Sequence, residues 1–206
     1  MKIGLAIYNF DPKKGGAERY TCDLAKRLVA KGHEILVFCV RGKEFPGIKL
    51  VRLKTIGYPR WLRNLTFALA HRRALRQHPP DVMLGYGNVF ELDVYQSHGG
   101  VQRVWMDREI LSYRSGSLKG LKPFLLRSSL NQAIQGWIEG YPIRSRKFRR
   151  IVAISDMVRD HMAAHFGINP DKFDVVYNGV DIERFSPPQK PPPGPMTILF
   201  CAANFR

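Results

Sequence analysis

Acidic residues are scarce in this sequence. Seventeen aspartates and glutamates face 33 lysines and arginines in 206 residues, for a formal net charge of +16. Residues 45–80 contain no acid and carry +8, residues 101–150 carry another +8, and residues 81–100 carry −3. A clustered excess of this size points to an anionic partner: nucleic acid, an anionic membrane or a phosphorylated substrate. A solvated basic face is the alternative. Cysteine is also scarce. Cys22, Cys39 and Cys201 form no C-x-x-C, which excludes a disulfide framework and the standard zinc sites and suits a reducing cytoplasm. All three read as buried small hydrophobes. No run approaches the roughly 18 apolar residues of a membrane-spanning helix. Met1–Tyr8 is too short for a signal peptide and leads straight into a charged loop.

What is present is a globular composition, 45% apolar and 24% charged. Lys2–Tyr8 and Glu34–Val40 read as buried strands. Between them Ala17, Tyr20, Leu24 and Leu28 share a helical face that Gly32 closes. This is a βαβ unit, whose right-handed crossover makes the strands parallel. Strands are expected again at Ile48–Leu53, Asp81–Tyr86, Leu92–Gln96, Arg150–Ile154 and Asp174–Tyr177. A helix is expected over Pro59–Gln77, with Trp61, Leu62, Leu65, Ala68, Leu69 and Leu75 on one arc and Arg60, Arg63 and Arg73 outside it. Gly100–Gly120 reads as loop with a short helix. Pro123–Gly140 reads as a helix lined by Leu126, Leu130, Ile134 and Trp137. Ser155 is placed to cap a helix running to Phe166. Strands alternating with helices predict an α/β fold, a doubly wound parallel sheet. Six prolines between Ser186 and Pro195 read as a stiff interdomain linker. The expected organisation is therefore a domain over 1–185, a linker over 186–196, and the first strand of a second domain over 197–206.

Ligands of such sheets bind beyond the carboxyl ends of the strands. Gly15-Gly16, after the first strand and opening a helix, is the strongest chemical feature there. Glycine admits close ligand approach, and the free N–H groups of a helix start favour an anion. It lacks the Gly-Lys-Ser/Thr of a Walker loop and is not G-x-G-x-x-G. His98, within Gln96-Ser97-His98-Gly99-Gly100, falls at the same edge with room for a substrate. His161 and His165 share a helical face, but no acid follows the first and no third ligand is evident, so no metal is expected. No nucleophilic triad or paired-carboxylate pattern stands out. The tracts Arg60–Arg76 and Arg144–Arg150 are basic with interleaved aromatics, open to nucleic-acid, membrane-surface or purely solvated readings. No nucleic-acid motif accompanies them. A basic nucleic-acid-binding α/β module is the alternative function.

The segment Tyr8-Asn9-Phe10-Asp11-Pro12-Lys13-Lys14-Gly15-Gly16-Ala17-Glu18-Arg19 resembles the opening of family-4 retaining glycosyltransferases of the GT-B fold. Gly32-His33-Glu34, Ala153-Ile154-Ser155-Asp156 and the run from Val176 to Phe185 are similar to further signatures of that family. Leu92-Asp93-Val94-Tyr95 resembles the glucosyltransferases of the lipopolysaccharide core heptose. The resemblance implies a Rossmann-like, N-terminal acceptor domain of a GT-B enzyme. It also implies a nucleotide-sugar donor, UDP-linked, that is a substrate and not a cofactor, and a reaction that uses no metal. Gly15 and Gly16 would meet the donor pyrophosphate. His98 would be the catalytic residue beside the transferred sugar, and Asn88 and Asp93 would be acceptor-side candidates. The acceptor would be a saccharide or lipid-linked saccharide of the cell envelope. The protein would be cytoplasmic, peripheral on the inner face of the membrane through residues 45–80 and 101–150, with no nucleic-acid partner. The family's donor-gripping basic residue and Glu-x7-Glu motif would lie in the second domain, so this chain alone is expected not to transfer sugar.

Overall fold

The computed structural model describes residues 1–112 and 129–179, together with 182, 183, 186 and 194. Most of the expected linker, the final strand, Cys201, and the part of the expected helix Pro123–Gly140 before residue 129 lie outside the described residues. Seven strands form one sheet: β1 (Lys2–Ala6), β3 (Glu34–Cys39), β5 (Ile48–Arg52), β6 (Val82–Gly85), β7 (Val94–Ser97), β8 (Arg150–Ala153) and β9 (Phe173–Val175). Every neighbouring pair is parallel, and the order is β5-β3-β1-β6-β7-β8-β9. The chain builds outward from β1 to β5, returns to β6 beside β1, and builds outward the other way. The direction reverses between β1 and β6, where a doubly wound sheet opens its ligand crevice.

Two-residue strands β2 (Asn9–Phe10) and β4 (Arg41–Gly42) form a small parallel ladder after β1 and β3. Such short pairings leave no periodicity to read. Among the described residues the α-helices are α1 (Gly16–Ala30), α2 (Arg60–Gln77), α3 (Gln102–Ser112), α4 (Leu130–Arg144) and α5 (Asp156–Phe166). Alternation along the central strands divides the core. Leu5, Ile7, Ile35, Val37 and Cys39 pack with Cys22 and Ala25 of α1. Ala6, Leu36 and Phe38 face the larger cluster with Phe67, Met83, Tyr95 and Ile151. This is the period of two expected of strands covered on both faces.

Two helices depart from their sequence reading. On α2 the buried residues are Phe67, Ala68, His71 and Ala74, while Leu69 is 49% exposed. His71 is fully buried with its ring edge-on to Phe38 at 5.1 Å, and desolvation pushes its pKa down to about 3. Helix α4 does not end at Gly140 but runs through Pro142 to Arg144. Pro142 has no N–H to give the preceding turn. Arg144 Nη2 donates to the Trp137 carbonyl at 2.8 Å across that turn, over the space a side chain at Gly140 would fill. The buried face of α4 is Ile138, Gly140, Pro142 and Ile143. Leu130 and Trp137 are exposed, though Trp137 stacks edge-on with Phe90 at 5.0 Å. The helical period sets which residues share a face, and the neighbouring elements choose which face is covered.

Candidate functional site

The chain leaves β1 through Tyr8 and turns tightly before α1. Asp11 accepts from the Lys13 N–H at 3.1 Å and pairs with Lys43 at 3.2 Å, and the Lys14 N–H bonds back to the Asp11 carbonyl. The Lys13 hydrogen bond leads in holding the Asp11 carboxyl below its usual range. The turn delivers Gly15 as the residue preceding α1, with no side chain to cap the helix. Gly15 is in extended backbone and a Cβ at Gly16 would meet nothing within 4 Å. The fold itself therefore makes no demand for glycine at position 16. A Cβ at Gly15 would meet the Glu18 carboxylate of the first turn, so the open space lies at Gly16, before N–H groups that the preceding residue does not cap and that an oxyanion can approach.

His98 follows the carboxyl end of β7. Its ring lies between Tyr20 of α1 at 4.8 Å and Tyr86 at 5.0 Å. Both tyrosines are themselves held: buried Gln96 donates to the Tyr20 hydroxyl at 2.7 Å, and the Thr21 and Tyr86 hydroxyls are 2.9 Å apart. Tyr20 stands one turn after Gly16, so His98 and the glycine loop share one edge of the sheet. His98 Nε2 is buried with no hydrogen-bond partner, and desolvation lowers the ring's pKa. A neutral imidazole with an unused nitrogen is positioned to hydrogen-bond a substrate.

His98 lines a cavity of about 200 Å³ together with Trp105, Arg108 and Ser155. A separate cavity of about 200 Å³, reached across Tyr86, opens above β1 and β6, walled by α2 and α4. Asn88 lines it, with Oδ1 buried and unpaired. Gly87 shapes this wall: its φ is +78°, and a Cβ there would overlap the Tyr95 hydroxyl. Asp93 is a correction. It precedes β7, at the opposite, amino edge of the sheet, where it accepts from the Met83 N–H at 2.8 Å and pairs with Arg149 at 3.2 Å. It ties strands together and does not face the cavity. His161 faces Arg108 at 3.1 Å and His165 stacks on Phe166. Among the described residues no cluster of three metal-ligating side chains occurs.

Sequence reasoning missed Glu139. Its carboxylate accepts from the Gln102 N–H that opens α3, at 3.1 and 3.2 Å, and burial pushes its pKa up to about 7. One signal was available: Glu139 is the only acid between residues 110 and 155.

A family model described as Glycosyltransferase Family 4 matches residues 14–184. A probable transglycosylase of Burkholderia thailandensis is 27% identical over 194 residues, covering 91% of this chain and 47% of that protein. The crystal structure of WaaG, a glycosyltransferase involved in lipopolysaccharide biosynthesis, superposes with a TM-score of 0.69 at 19% identity, covering 88% of this chain and 46% of that one. Sucrose-phosphate synthase from Thermosynechococcus elongatus gives 0.58 at 14% identity, covering 90% and 50%. The two structures show a shared fold, and the chain spans about half the length of each of these relatives. With its Rossmann-like sheet and the match over 14–184, the chain belongs to glycosyltransferase family 4.

Proposed function

We propose that this chain is the acceptor-side domain of a retaining hexosyltransferase. The enzyme moves a sugar from a nucleotide-sugar donor, UDP-linked, to a saccharide or lipid-linked saccharide of the cell envelope, such as lipopolysaccharide core. The observation that carries the reading is the meeting of two features at one sheet edge: the uncapped start of α1 behind Gly15-Gly16, and His98 with its unpaired nitrogen. The helix start receives the donor's diphosphate, whose charge grows as the bond from the sugar's anomeric carbon to its oxygen breaks. The acceptor hydroxyl attacks the same face, and its proton passes to the departing phosphate oxygen. His98 hydrogen-bonds the transferred sugar, and Asn88 a hydroxyl of the acceptor. As proposed, the reaction uses no metal and no cofactor.

The test is transfer of radiolabelled glucose from UDP-glucose to a lipopolysaccharide-core acceptor. The 206-residue chain alone is expected to give no product, because half a donor site does not hold the leaving group. A longer chain that carries the family's second domain is expected to turn over. No turnover by the longer chain overturns the reading.

Attachment to the inner membrane face belongs to the same proposal. No helix among the described residues is long and apolar enough to cross a membrane. Ile56 and Tyr58 are 50% and 86% exposed beside the acid-free α2, a combination suited to an anionic lipid surface. Flotation with anionic vesicles at low salt is expected, and flotation indifferent to anionic lipid counts against it.

A further inference from the structure

Helix α2 begins in a way that its own electrostatics oppose. A helix start carries the positive end of the peptide dipoles and unpaired N–H groups, which acids or a capping side chain ordinarily answer. Here Pro59 precedes the helix without a side-chain cap, and the first turn holds no acid. Arg60 and Arg63 stand there instead. Both line the cavity above β1 and β6, together with Tyr8, Asn64, Asn88 and Gln135, and among the described residues no carboxylate lines it. Among the described residues no carboxylate pairs with either arginine. The Arg63 guanidinium lies 5.1 Å from the Tyr8 ring centre, and its Nε is buried without a partner. Glu139, the carboxylate near Gly87, is turned to the Gln102 N–H.

Two cations, a helix start and several amides thus converge on one small space, with no carboxylate among the described residues to neutralise them. We propose that this cavity binds a phosphorylated sugar by its phosphoryl group, with Arg60 and Arg63 on the phosphate oxygens and Asn88 and Gln135 on the sugar hydroxyls. A guanidinium presents paired N–H donors that match phosphate oxygens. The buried, unpaired Asn88 Oδ1 is an acceptor for a hydroxyl. The inference rests on the reading of this face as the acceptor side and names the acceptor's class. The phosphate is either that of a free sugar phosphate or that of a lipid headgroup.

The experiment is calorimetric titration of the 206-residue chain with glucose 6-phosphate and with glucose, plus flotation with phosphatidylcholine vesicles containing phosphatidylinositol. Binding of glucose 6-phosphate but not glucose is expected. Arg60→Gln and Arg63→Gln should each weaken it by about tenfold or more. Arg73→Gln, on the same helix outside the cavity, should leave it unchanged. Arg60 is exposed, so its variant tests the site even if Arg63→Gln folds poorly. Flotation weakened much more in Arg60→Gln than in Arg73→Gln assigns the phosphate to a lipid headgroup; titration alone affected assigns it to a soluble sugar phosphate. Binding of neither probe, or equal losses in Arg60→Gln and Arg73→Gln, overturns the proposal. No arm contains a nucleotide sugar. Failure here beside successful transfer to a neutral sugar therefore sinks this inference alone. The opposite pattern sinks only the transfer reading.

Discussion

Helix starts along the carboxyl edge of this sheet are of two kinds. At α5 the Ser155 hydroxyl accepts from the Val158 N–H at 3.3 Å and Asp156 stands in the first turn. At α3 the Glu139 carboxylate, from another helix, closes the first N–H. At α1, α2 and α4 the preceding residues are Gly15, Pro59 and Ser129, none of which caps with a side chain, though α1 carries Glu18 in its first turn. The closed starts are finished by the protein. Of the uncapped ones, α1 and α2 flank the crevice between β1 and β6, where a ligand can finish them. The start of α2 has neither a cap nor an acid, which costs stability, and it stands at the topological switch point, where a ligand can offset that cost.

The sharpest way to break the comparison is to fill an open start. Gly16→Val is expected to lower transfer by the longer enzyme by about 10³-fold, the scale of losing aligned oxyanion donors. It should leave the fold intact, because a Cβ there meets no protein atom within 4 Å. Parallel kinetics and thermal melting check this; equal losses of activity and stability would mean that Gly16 is structural.

Next in size is the charge that closes α3. The folded-state pKa of Glu139 is raised from 4.5 to about 7, so the folded protein keeps a proton that the unfolded chain releases. This contribution to stability is full below pH 4.5 and is lost as pH rises through 7, by at most about 3 kcal/mol. His71 has the opposite sign. Its pKa falls from 6.5 to about 3, so its contribution is full above pH 6.5 and is lost as pH falls toward 3. Urea denaturation from pH 4 to 8 should therefore show a Glu139-dependent decline at the upper end that Glu139→Gln flattens. An unchanged slope in that variant would assign the decline elsewhere.

A smaller effect is expected at the closed start of α5. Ser155→Ala should lower stability by about 1 kcal/mol, and the vesicle and transfer assays should not respond. The smallest is Gly16→Ala in the isolated chain, where the melting midpoint should stay within the equivalent of about 0.5 kcal/mol.

Much of this was readable along the chain. The parallel strands appear as short apolar runs, Gly15-Gly16 as a strand-to-helix loop, and Ser155 as a cap, because each signal is local. The covered faces of α2 and α4 were misread at Leu69, Leu130 and Trp137, because a helix of mixed character has more than one apolar stripe. Asp93 was misplaced because a strand's beginning and end look alike in a short apolar run. His98 was visible through its flanking glycines, but its two tyrosine walls come from α1 and from the segment after β6, far apart in sequence.

The sequence by itself determined the alternation of strands and helices, the parallel sheet and the open loop before α1. All of these follow from neighbours within a few residues. Only the tertiary structure decided which helix starts are closed and which are left to a ligand. The cap on α3 joins residues 37 positions apart. The arginines of α2 become unanswered charges only once packing has put them over β1 and β6, in a cavity with no carboxylate of the described residues on its walls.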